Sequence, residues 1–333
     1  MRLNKSIKIF INYFLGPLLF AWLTFSIYQQ VTAQPQLEQS WQHMRQSITW
    51  YKVMALVSVV VLMLANWSVE AVKWKLSVSA IHAVSFAQSF KAILSGVSFS
   101  VTLPNRIGEY AGRLMFIPEG KRLMAIANTI AGSISQLLIT LVSGLIGLAV
   151  LKKDLLQASW FNASWYPFIF YTILAVTVVL TILYFGMAHI SRRIEQRAQN
   201  SRYLYLIQSL KTFNVQLLLL LLLLSLLRYV IFIAQYFLLF SLFEVHASAG
   251  VVWSVMSVVF LTLAVVPTIA LVEIGLRGKI SLQLMALFTA NGLGVVLTSV
   301  SVWFINLIVP ALAGSVLILS IKVFKRKNET IEI

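Results

Sequence analysis

Along the chain, long unbroken apolar stretches alternate with short polar connections in which cations dominate. The stretches at about 9–28, 48–69, 123–151, 166–188, 213–243 and 295–321 can each cross a ~30 Å hydrocarbon layer as a helix, for which about 20 residues suffice. They are continuous rather than alternating in polarity, which excludes an outer-membrane β-barrel. The pattern predicts an all-α polytopic membrane protein with about six full transmembrane helices.

Two regions depart from this rhythm. Ser77 to Leu103 is moderately apolar and rich in Ser, is interrupted at Pro104, and resumes as a short segment from Ile107 that carries Glu109 and Arg113. Val251 to Val266 is likewise stopped at Pro267, and the arm after it carries Glu273, Arg277 and Lys279. Each reads as a Pro-broken re-entrant helical hairpin, over 76–120 and 248–291, with Pro104, Gly108, Pro267 and Gly275 as its expected hinge positions. The alternative is an interfacial hairpin with its charges among the lipid headgroups, since hydropathy alone does not separate the two.

Charge placement orients the spans. Arg2, Lys5 and Lys8 put the N-terminus on the cytoplasmic side; Glu70, Lys73 and Lys75 are expected to close the second span there. The most basic connection holds Arg192, Arg193, Arg197, Arg202 and Lys211, and Lys322, Lys325, Arg326 and Lys327 put the C-terminus inside. Trp160, Trp165 and Tyr166 suit an interfacial aromatic belt. Val31-Thr32-Ala33 resembles a signal-peptidase site, but the apolar run before it is long and aromatic, which favours a retained helix.

Laid side by side, 1–151 and 164–327 each hold two spans, a Pro-broken hairpin and a third span, with Glu and Arg four residues apart in both hairpins. Three crossings per half is an odd number, so the second half is expected to be inverted relative to the first. Inverted repeats with broken helices recur in transporters, with binding sites near the midplane. Glu and Arg at i and i+4 share a helix face and can pair. Pairing matters because a lone charge at the bilayer centre costs about 2.5–3.5 kcal/mol.

Composition narrows the function. The 333 residues are 59% hydrophobic and only 11% charged, where a soluble domain has ~25% charged, so 1–333 reads as one integral membrane domain. The net charge of +16 sits beside apolar spans, where it meets anionic membrane lipids rather than nucleic acid. With no cysteine, disulfides, thiolate catalysis and Cys-type zinc sites are excluded. His43, His82, His189 and His246 lack metal-ligand spacing, and no Walker loop, dinucleotide fingerprint or Ser-His-Asp order is present, so neither metal nor cofactor is expected.

The stretch Ser95-Gly96-Val97-Ser98-Phe99-Ser100-Val101-Thr102-Leu103-Pro104-Asn105-Arg106-Ile107-Gly108-Glu109-Tyr110-Ala111-Gly112-Arg113 resembles the flippase-like family named for the transmembrane region of lysylphosphatidylglycerol synthase. Asn66-Trp67 with Glu70, Lys73 and Trp74, and Pro267 through Gly278, extend the likeness over most of the chain. Two departures stand out: Arg113 follows Glu109 by four residues where many relatives have three, and Thr-Ile-Ala-Leu-Val replaces a Gly-rich run after Pro267. The resemblance implies a multi-pass protein of the bacterial inner (plasma) membrane without the soluble transferase domain. It implies transbilayer transport of a phospholipid, such as an aminoacylated phosphatidylglycerol, or of a polyprenyl-phosphate-linked lipid, with a separate transferase as partner.

The expected substrate-binding residues are Arg106, Glu109, Arg113, Arg228, Glu273 and Arg277. Clustered guanidinium groups grip a phosphodiester in bidentate fashion, and carboxylates select or release a cationic headgroup. Arg228 lies midway along its span and is expected to be the counter-ion of Glu109 or Glu273, or to line the lipid path. The same residues admit two other readings: an intramembrane lipid-modifying enzyme with Glu109 or Glu273 as base, or an accessory subunit of a glycosyltransferase or lipid-modifying enzyme. The enzyme ranks behind the translocase because an Arg-flanked carboxylate is a poor general base near neutral pH.

Overall fold

The computed structural model describes residues 49–102, 107–197, 213–267 and 270–318, with positions 25, 28, 29 and 32. The first expected span, at about 9–28, lies almost wholly outside the described residues, as do Pro104 and Arg106.

The described residues are helical throughout: α1 (Trp50–Val78), α2 (Phe86–Thr102), α3 (Ile107–Leu114), a 3₁₀ turn (Glu119–Lys121), α4 (Arg122–Val150), α5 (Lys152–Gln157), α6 (Trp165–Arg197), α7 (Val215–Leu242), α8 (Ala249–Val265), α9 (Ala270–Met285) and α10 (Gly292–Trp303). α10 continues through a π-helical turn at Phe304–Ile308, and the whole span runs Gly292–Ile318. Pro310 accounts for that turn: it has no N–H to give the carbonyl of Asn306, its ring crowds that carbonyl, and a widened turn absorbs both.

Five helices among the described residues are long and apolar enough to cross a membrane: Trp50–Val78, Glu119–Val150, Trp165–Met187, Val215–Leu242 and Gly292–Ile318. Five of the six expected spans therefore coincide with such helices. Burial is inverted relative to a soluble protein. Val61, Ile182, Leu223 and Val316 are exposed, whereas Lys73 and Glu70 on α1 are buried at 2% and 6% exposure. Apolar side chains facing outward and charges facing inward are the arrangement that a lipid solvent selects.

The helices divide between two compact units. The first unit holds Leu137–Val179 and Tyr229–Phe304 with the described residues up to Leu64. Here α9 packs against α8 and α10. α4 lies close on α8 because glycine leaves room: a Cβ on Gly147 would stand 2.7 Å from the Ser254 carbonyl, and one on Gly144 would stand 2.6 Å from Leu261. Asn291 caps α10 by accepting from the Gly294 N–H, and its amide donates to the carbonyls of Phe243 and Glu244 where α7 ends. Glu244 there takes φ 57° and pairs with Lys52 at 2.8 Å.

The second unit holds Ala65–Gln136 and Leu180–Arg228 with the described residues from Ile305 on. α2 opens with a reciprocal capping box: the Gln88 N–H donates to the Ser85 hydroxyl and the Ser85 N–H donates to the Gln88 side chain. α2 and α3 then fold back on each other as the first hairpin. Their contact is backbone on backbone. A Cβ on Gly112 would sit 2.3 Å from the Gly96 nitrogen, and one on Gly108 would sit 2.2 Å from the Phe99 carbonyl. Gly108, expected as a hinge, is thus a buried packing position inside α3. Gly275 lies within continuous α9 and Pro267 in the break between α8 and α9, so only the latter falls where the helix is interrupted. Gly314 serves the end of the last span as Gly112 serves the hairpin, its Cβ position lying 2.0 Å from the Leu94 carbonyl.

Candidate functional site

In the second unit the polar groups of α1 lie along one face. Asn66, Glu70, Lys73 and Ser77 recur every three to four residues and are all buried, so an apolar helix carries a polar stripe inward. α3 contributes Glu109 and Arg113, α4 contributes Ser135 and Gln136, and α7 contributes Ser225 and Arg228. Arg228 stands about 20 Å along α7, at ~1.5 Å rise per residue, close to the helix midpoint.

Glu70 is the hub of this cluster. Its Oε1 accepts from Arg113 at 3.0 Å, and its Oε2 accepts from Arg228 at 2.5 Å and pairs with Lys73 at 3.1 Å. Arg113 also donates to Glu109 at 3.0 Å, the i,i+4 pair expected from spacing. Arg228 Nε donates to Asn66 Oδ1 at 2.8 Å, Nη1, which also holds Glu70, reaches Gln136 Oε1 at 3.4 Å, and the guanidinium carbon lies 5.7 Å from the centre of the Trp67 ring. Lys73 Nζ donates onward to Ser225, which shares a 2.8 Å hydrogen bond with Ser135.

The structure therefore joins three expected site residues, Glu109, Arg113 and Arg228, through a residue given a lesser part. Glu70 and Lys73 were expected to mark the cytoplasmic end of a span closing near 69. Instead α1 runs on to Val78 and both residues are buried within it. Arg228, expected to answer Glu109 or Glu273, answers Glu70. The readable signal was periodicity: Asn66, Glu70, Lys73 and Ser77 fall on one face, while Val57, Val61 and Leu64 before them are exposed.

Among the described residues the cluster holds three cations and two carboxylates, an excess of one positive charge. It also holds three buried N–H donors without a partner: Asn66 Nδ2, Trp67 Nε1 and Arg113 Nε. An unmade buried hydrogen bond costs about 1–3 kcal/mol, so excess charge and spare donors together favour an added anion. No family model, curated protein or solved structure matches the chain.

The second pair lies in the first unit. Arg277 donates to Glu273 at 2.7 Å, again at i,i+4, and to the Tyr236 hydroxyl at 3.1 Å. Arg277 is 9% exposed and Tyr236 fully buried. Arg277 thus combines one carboxylate with one phenol hydroxyl. Lys279 follows two residues on, half-buried. Arg106 falls outside the described residues.

Proposed function

We propose that this chain moves a lipid with an anionic phosphate headgroup across a bacterial inner membrane, with the Glu70 cluster as the headgroup site. The observation that carries the proposal is the cluster's surplus among the described residues: three cations against two carboxylates, beside three unpartnered donors, at the midpoint of a membrane-length helix. Guanidinium groups match the paired oxygens of a phosphodiester, and a site whose charged donors replace the headgroup's water within the bilayer lowers the main barrier to its crossing.

In this reading the two halves are inverted repeats with both termini cytoplasmic, and the two Pro-broken hairpins are re-entrant gates. Support comes from a helix–break–helix hairpin with an i,i+4 Glu–Arg pair in each unit, and from the resemblance to the lysylphosphatidylglycerol synthase transmembrane region. The cargo is a phospholipid such as an aminoacylated phosphatidylglycerol, or a polyprenyl-phosphate-linked lipid, supplied by a separate transferase.

The test is reconstitution of the purified chain into liposomes with fluorescent phosphatidylglycerol and dithionite quenching of the outer leaflet. Quenching well beyond half of the label, lost in Arg228→Met while the variant stays folded, is the expected result. Quenching that stops at half with the native chain contradicts the proposal.

A further inference from the structure

The Glu70 cluster holds one cation that differs in kind from the others. Arg113 and Arg228 carry guanidinium groups, which stay protonated under all ordinary conditions; Lys73 carries an amine, which can give up its proton when buried. Lys73 is also the most enclosed of the three, at 2% exposure. Among the described residues, the elements packed around it each present a defined group. Glu70 on its own helix lies 3.1 Å away, and Ser225 on α7 accepts from it at 3.2 Å. Gly132 on α4 closes in, with its Cβ position 3.7 Å from Lys73 Cε. Arg228 on α7 and Arg113 on α3 share the Glu70 carboxylate with it, and Glu109 stands behind Arg113.

We propose that Lys73 is the proton site of this cluster, so that binding of a monoanionic phosphodiester headgroup is coupled to uptake of one proton. The inference rests on the headgroup reading above and deepens it by naming the coupling ion. The charges balance in both states. Among the described residues, a neutral Lys73 without ligand leaves two guanidinium groups against two carboxylates, a net of zero. With the phosphodiester bound, one proton taken from water onto Lys73 gives three cations against three anions, again zero. A low-dielectric site favours the states in which its charges cancel. Release of the headgroup returns the proton, so proton and lipid travel together. Ser225 accepts from Nζ here while its own O–H is given to the Leu221 carbonyl, so its oxygen contacts the amine without adding charge.

The experiment follows binding and protons together. Full-length protein in weakly buffered detergent is titrated with dihexanoyl phosphatidylglycerol, with dihexanoyl phosphatidylcholine and inorganic phosphate as parallel arms. Calorimetry reads binding and a pH indicator counts protons. The expected result is saturable phosphatidylglycerol binding with close to one proton taken up per lipid on the alkaline side. There, affinity falls about tenfold per pH unit, the slope set by one linked proton. In Lys73→Arg the charge is permanent, so binding persists while proton uptake and pH slope vanish; Lys73→Met serves as the second variant, binding more weakly with no uptake.

Phosphatidylglycerol binding without proton uptake at any pH overturns the proton site and leaves the headgroup reading intact. Unchanged uptake in both variants also overturns it. Failure of phosphatidylglycerol to bind overturns both readings. Uptake driven by inorganic phosphate alone, with no lipid effect, contradicts the lipid as ligand.

Discussion

The two helix pairs, α2 with α3 and α8 with α9, carry the same Glu–Arg spacing in different surroundings. In the first, Arg113 is shared between Glu109 and Glu70, and through Glu70 the pair joins Lys73 and Arg228 in a network drawn from α1, α3 and α7. In the second, Arg277 has Glu273 and the Tyr236 hydroxyl. Their construction differs as well. The first arm of the first hairpin starts with a reciprocal capping box, and its arms meet backbone to backbone through glycine; the second hairpin starts with Ser248 accepting a single bond of 3.4 Å from Val251. A repeated sequence motif thus supports two chemistries. In the first, the arginine joins further cations through a shared carboxylate; in the second, it adds a phenol hydroxyl to its carboxylate.

The largest expected effect separates the two directly. Glu70→Gln strips the shared anion from three cations, two of them buried, and should destabilise the fold by about 3–5 kcal/mol, the cost of breaking a buried ion pair. Glu273→Gln leaves one guanidinium with a hydroxyl partner and should cost clearly less. Thermal unfolding in detergent ranks them, and equal losses would erase the distinction between the hairpins.

Packing gives the next contrast. Gly112→Val places a side chain where a Cβ already lies 2.3 Å from the Gly96 nitrogen, so the hairpin must open, at about 3 kcal/mol, the upper end for overpacking. Gly120→Val has nothing within 4 Å of its Cβ position and should stay within ~0.5 kcal/mol of the native protein. Indistinguishable melting of these two variants would refute the close contact.

Tyr236→Phe tests the second pair. Losing the hydroxyl removes a bond to a charged donor, about 1.5–2 kcal/mol, and should raise proteolytic sensitivity around α9 more than around α3. The smallest contrast is at the hairpin starts. Ser85→Ala breaks a capping box and should cost ~1 kcal/mol, while Ser248→Ala loses one long bond and should cost less. Hydrogen exchange at the first turns of α2 and α8 reads the difference.

The sequence exposed the parts of this fold that depend on hydrophobicity and local spacing. Membrane-length apolar runs marked five helices that the structure contains, Pro267 marked the break between α8 and α9, and the four-residue spacing marked both Glu–Arg pairs. Glu70 escaped because charges after an apolar run look the same to a hydropathy reading whether they sit at a membrane edge or turn inward. Only the three-to-four-residue recurrence of Asn66, Glu70, Lys73 and Ser77 distinguishes the cases. Gly314 escaped for another reason. Its need for a bare Cα comes from Leu94, more than two hundred residues away, and no local pattern encodes that approach.

The most direct test of the central idea is where a lipid headgroup touches the protein. Phosphatidylglycerol with a photoactivatable diazirine on its headgroup would be irradiated with the native chain in liposomes, and the crosslinked peptides mapped by mass spectrometry. We expect adducts within 66–74 of α1 and on α3, suppressed by excess unlabelled phosphatidylglycerol. Adducts confined to the exposed apolar face of α6, around Phe168, Tyr171 and Ile182, would mean that the lipid only solvates the helices and that the Glu70 cluster holds no headgroup.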